Sequence, residues 1–219
     1  MSEFDAGPAG RIERVRALMA ERGYDAIVVR DEANLRWLTG VKGVFDYTFE
    51  FPHAAFITAG QCLFHTDSRY LNSFEENTPA GSPWVYDMDE GTIPGWVAGK
   101  IAANKCRVCA VEDDMQINFY QGIQRGLEDR SVACMLPLMH DDIRKMRAIK
   151  DAEEIELMRH AQSITDAAFQ HMLGFIKPGM TEKQVRNELE NYMFANGADS
   201  LAFGSIVASG PNTANPHAV

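Results

Sequence analysis

The stretch "RIERVRALMAERGYDAIVV" constrains the fold more than any other part of this sequence. Ile12, Val15, Leu18 and Met19 recur at i, i+3, i+6 and i+7, the spacing of one helix face. Gly23 follows where a helix closes in the left-handed conformation. The apolar run Ala26–Val29 comes directly after it and reads as a buried strand.

The same alternation continues along the chain. "DEANLRWLTG" is a short helical turn closing at Gly40, and "HAAFITAGQCLFHTDSRY" predicts two strands joined at Ala59-Gly60. Residues 72–95 carry Pro79, Pro83 and Pro94 and are expected to be loop-rich. Helices near 94–104 and 115–127 then alternate with strands at 107–112 and 131–136. Strands exchanging with helices define an α/β fold with a largely buried sheet. Around Pro137 the chain turns charged, with mixed signs, which places a domain boundary near residue 140 and gives segments 1–140 and 141–219. From Asp151 a long helix carries the stripe Ile155, Met158, Ala161, Ile164, Ala168, Met172 and Phe175. It stops at Lys177-Pro178-Gly179, and Thr181 with Gln184 forms a capping box for a second helix that ends near Gly197. "SLAFGSIVASG" predicts a strand followed by a turn.

Composition removes several function classes. With 219 residues, 46% hydrophobic, the chain can bury a sizeable core. No run approaches the roughly 18 apolar residues of a membrane span, and "MSEFDAGPAGRIER" contains no secretory h-region, so the expectation is a cytoplasmic protein. A net charge of −10 with scattered Lys and Arg offers no basic stripe for nucleic acid. The four cysteines are too few for a disulfide scaffold. Cys106 and Cys109 form a C-x-x-C, but Cys109 falls in a predicted strand, where an odd separation sends the two side chains to opposite faces. Cys62 and Cys134 stand alone, so the cysteines are expected to be structural.

Most candidate constellations fail on spacing. His160 and His171 lie eleven residues apart on one helix, roughly 16 Å along its axis, which is too far for two ligands of one metal. "DMDEG" at 87–91 has Gly where a calcium loop needs its third acid. Asp113-Asp114 and Glu75-Glu76 are adjacent pairs, suited to solvated turns or helix starts. There is no phosphate-binding glycine loop and no nucleophile elbow. "SGPNTANPH" remains: a Gly-Pro-Asn turn followed by Asn-Pro-His sets His217 on a rigid, accessible loop. By spacing alone, His217 is either a turn histidine or a catalytic one.

Three stretches, "KDAEEIELMRHAQSITDAAF", "IKPGMTEKQVRNELE" and "GADSLAFGSIVASGPNTANPH", resemble the start of the pita-bread domain of Xaa-Pro aminopeptidases, prolidases and creatinases. Earlier, "RIERVRALMAERGYDAIVV", "NLRWLTG" and "HTDSRY" resemble the N-terminal domain these enzymes share. The resemblance implies a creatinase/prolidase mixed-sheet domain followed by an incomplete pita-bread α+β domain. It implies hydrolysis of the bond before a proline by two divalent ions, Mn, Zn or Co, bridging an activated water. The family's ligands, two Asp, one His and two Glu, come after the Pro-His segment. His217 alone carries over, as the substrate-side histidine, and the chain by itself is expected to hold no metal or other cofactor and to be inactive. The expected partners are a second copy or a missing C-terminal half, and a proline-containing peptide. Two other readings stay open: a creatinase-like amidinohydrolase or small-zwitterion lyase of the same fold, and a non-catalytic binding or assembly protein.

Overall fold

A computed structural model of the chain describes residues 7–42, 52–88 and 91–217; Asp89 and Glu90 of the 87–91 acidic stretch lie outside the described residues. The first helix, α1 (Pro8–Arg22), buries Ile12, Val15 and Met19 and stops because Gly23 adopts φ 71°, its N–H returning to Met19 O. β1 (Ala26–Val29) is buried along its whole length. α2 (Glu32–Thr39) begins at Asp31, whose carboxylate accepts from Asn34 N. β2 (Ala54–Thr58) and β3 (Cys62–His65) form the expected antiparallel hairpin.

The segment expected to be loop-rich contains two elements, α3 (Leu71–Asn77) and the edge strand β4 (Val85–Asp87), which pairs in parallel with β3. Pro79 and Pro83 lie between these elements and interrupt neither. α4 (Ile93–Ala103), β5 (Cys109–Val111) and α5 (Ile117–Asp129) follow. The sheet order is β4-β3-β2-β1-β5, with β1–β5 and β3–β4 parallel and the central pairs antiparallel.

The strand expected at 131–136 is reduced to isolated bridges, Val108 with Met135 and Val111 with Leu138. Cys109 N donates to Met135 O and Met139 N donates to Val111 O, but between them Pro137 has no N–H to give the ladder.

Period-two alternation divides the strands between two cores. Ile27, Val29, Ala55, Ile57, Phe64 and Ala110 face one side, beneath α1, α2, α3 and α6 (Asp142–Ala148). Ala26, Val28, Ala54, Phe56, Cys109 and Val111 face the other, beneath α4 and α5. Those two helices approach closely because Gly126 has no side chain: a Cβ there would lie 2.8 Å from Ala98 Cβ.

The chain divides into two compact units, Met1–Ile149 and Lys150–Val219. Residues 141–149, expected from their charge to open the second domain, belong to the first unit, since Ile143 is buried in its core. The second unit is built on α7 (Ala152–Phe175) and α8 (Glu182–Ala195). Each starts in a complete capping box, Asp151 with Glu154 and Thr181 with Gln184. Of the α7 stripe, only Ile164, Ala168 and Met172 are buried, while Ile155 and Met158 are exposed, as is Phe169 beside it. The strand expected in 201–209 is absent among the described residues. A strand needs a partner for its backbone groups, and the described part of this unit contains none.

Candidate functional site

The turn that carries His217 is built from the start of α8. Thr181 Oγ1 accepts from Gln184 N at 3.2 Å, and Gln184 Oε1 accepts from Thr181 N at 2.9 Å. With the cap closed by these two residues, the Glu182 carboxylate is left to reach the terminal segment. Its Oε1 accepts from Ser209 N at 2.6 Å, and Asn212 Nδ2 donates to both oxygens, at 3.2 and 3.1 Å. Gly210–Ala214 form a 3-10 turn, held by Thr213 Oγ1 on Gly210 O at 2.7 Å and Asn215 N on Asn212 O at 3.0 Å. Pro216 follows, and His217 stands exposed in the next turn.

A second feature lies in the first unit. A cavity of about 120 Å³ is lined by Asp31, Glu112, Asp113, Asp114, Asp141 and Asp142, with Arg144 and Arg147. Glu112 is buried at the end of β5, only 5% exposed. Its Oε2 accepts from Arg30 N at 2.5 Å and Asp31 N at 2.8 Å, and its Oε1 from Asn34 Nδ2 at 2.8 Å. Burial pushes its carboxyl up to about 7, against these three hydrogen bonds, which lower it. Arg147 Nη1 completes the group by donating to Asn34 Oδ1 at 2.8 Å. Asp113 Oδ2 accepts from Asp141 N at 2.8 Å, and both acids of the Asp113-Asp114 pair are exposed, as a solvated turn requires. Sequence reasoning missed Glu112; its only local sign is an acid directly after an apolar strand.

The cysteines behave as packing residues. Cys106 and Cys109 lie in one buried cluster, with Cys134 packed against it. They do not take opposite faces, because Cys106 precedes the strand and escapes its alternation. His160 is exposed, and His171 pairs with Glu188 across 2.7 Å while stacking on Tyr192 at 4.4 Å. Among the described residues, no group of three or more His, Cys, Asp or Glu side chains is arranged to hold a metal ion. The described residues therefore do not fit a dinuclear centre.

Comparison with known proteins fixes the class. Residues 11–149 match the creatinase/prolidase N-terminal domain, and residues 156–219 match metallopeptidase family M24. The chain belongs to the creatinase/prolidase family of M24 metallopeptidases. An uncharacterised peptidase of Bacillus subtilis, YqhT, is 31% identical over 216 residues, covering 95% of this chain and 56% of the relative. An Xaa-Pro dipeptidase of Pyrococcus horikoshii is 40% identical over 216 residues, covering 95% of this chain and 54% of that protein. Among solved structures, an Xaa-Pro dipeptidase from Bacillus anthracis superposes with a TM-score of 0.82 at 30% identity, over 97% of this chain and 56% of its own. The chain thus spans about half the length of the relatives it matches. No helix among the described residues is long and apolar enough to cross a membrane.

Proposed function

We propose that this chain is the N-terminal portion of a cytoplasmic Xaa-Pro peptidase that hydrolyses the bond before proline with two divalent ions, Mn, Zn or Co. The reading is carried by the likeness to an Xaa-Pro dipeptidase over 95% of the chain, together with the match of residues 156–219, which include His217, to metallopeptidase family M24. The metal ions would be held by residues of the family's downstream segment, where their chemistry is water activation. His217 would contact the substrate. An imidazole ring there can donate a hydrogen bond to a substrate oxygen or hold a proton at one ring nitrogen. The first unit would serve dimerisation and shape the substrate entrance. The exposed apolar residues of α7 support a further protein surface over the second unit, either the C-terminal half or a second copy.

The test is hydrolysis by the full-length protein supplied with manganese. Cleavage of an Xaa-Pro dipeptide is the expected result, with none from the 219-residue chain alone. Turnover of creatine in place of the dipeptide would move the protein to the amidinohydrolase reading. Failure to take up metal in any form would move it to a binding protein.

A further inference from the structure

We infer that Glu182 is a positioning residue for His217, an inference that rests on the reading of His217 as the substrate-side histidine. Among the described residues, Glu182 makes the hydrogen bonds that tie residues 209–217 to the rest of the chain. It does so at two points. One oxygen accepts from the backbone N–H of Ser209, where the turn begins, and both oxygens face the side-chain amide of Asn212 in its middle. One contact fixes a position, and two also fix rotation of the turn about its attachment. Hydrogen bonds to a carboxylate are about twice as strong as those between neutral groups.

Among the described residues, Glu182 makes no other side-chain hydrogen bond. The cap of α8 is closed by Thr181 and Gln184, and a carboxylate in the first helical turn is favoured by the helix dipole. Within and beyond the clip, the 3-10 hydrogen bonds and the fixed φ of Pro211 and Pro216 make the turn a short stiff lever. Displacement at Ser209 is therefore delivered to His217 instead of being absorbed between them. Misplacement of a group by about 1 Å can lower a rate on the order of 10²-fold.

Two measurements test this. In the 219-residue chain, Glu182→Ala should speed amide exchange at Ser209 by roughly 10-fold or more while leaving the α7 amides unchanged. Glu182→Gln, which keeps an acceptor oxygen, should restore most of the protection. In the full-length protein, Glu182→Ala should lower kcat/KM for an Xaa-Pro dipeptide by roughly 10-fold, with most of the loss recovered by Glu182→Gln. Placed in a His217→Ala background, Glu182→Ala should cost nothing further, because the residue it positions is gone. Additive losses, or unchanged Ser209 exchange, would overturn the proposal. A His217→Ala enzyme of full activity would overturn it together with the histidine reading, and the exchange data would then show whether the clip itself stands.

Discussion

Asn34 Nδ2 donates to Glu112 Oε1 across 2.8 Å, joining the first turn of α2 to the end of β5, 78 residues further along the chain. The same asparagine accepts from Arg147, so its amide is used at both ends and its orientation is fixed. Glu112 is thereby held in place by three donors in a site that burial makes unfavourable for charge.

A pH dependence follows from that conflict. The folded value of Glu112 is raised from 4.5 to about 7, so between these values the native state binds more protons than the unfolded chain. Its stabilising contribution is complete below pH 4.5 and is lost as pH rises through about 7. The full span is worth up to about 3 kcal/mol. Urea unfolding of the chain from pH 4.5 to 8 should show this slope, and Glu112→Gln should flatten it. An unchanged slope in the variant would place the proton elsewhere.

The α4–α5 contact sets two effects against each other. Gly126→Ala improves helix propensity by about 1 kcal/mol, yet its Cβ would lie 2.8 Å from Ala98 Cβ. Overpacking of this kind costs about 1–3 kcal/mol, so the variant should be net destabilised, read as a lower Tm. Adding Ala98→Gly should relieve the clash, giving a favourable coupling in a double-mutant cycle.

Thiol chemistry should be slow in the native protein. Burial pushes Cys62 and Cys106 up to about 11 and raises Cys109 well above its usual value, while Cys134 is also raised but half-buried. A chromogenic disulfide reagent at pH 8 should modify Cys134 first and the other three only on unfolding. Rapid labelling of all four would contradict the packed cluster.

In the full-length protein, His217→Ala should lower kcat/KM by roughly 10²-fold or more. Steady-state kinetics on an Xaa-Pro dipeptide read this directly, and an unchanged rate removes His217 from the site.

What could be read in the sequence was what depends on local rules. The α1 face, the left-handed Gly23, the β2–β3 hairpin and the Thr181–Gln184 capping box are each specified by residues a few positions apart. What escaped was set by partners far away. β4 is three residues long and exists by pairing with β3. The broken ladder at Pro137 depends on β5, and the stripe of α7 gives its helix but not which of its residues are covered. Glu112 and Glu182 were invisible for the same reason, since their hydrogen-bond partners lie 81 and 30 residues away. His217 drew notice only through the Gly, Pro and Asn residues around it.

The strand order also sets a timetable. β1 lies between β2 and β5, and its register with β5 joins Ala26 to Cys109. At a synthesis rate of about 5–20 residues per second, β1 waits roughly 4–16 s after it is made for that neighbour to emerge. During that interval an apolar, β-branched edge stands open, the kind of edge that recruits foreign strands. The β2–β3 hairpin can close early and occupy the opposite edge of β1, but the β5 side depends on the ribosome's pace. Codon usage and chaperone supply between residues 30 and 110 should therefore govern how much of the newborn chain reaches its native sheet.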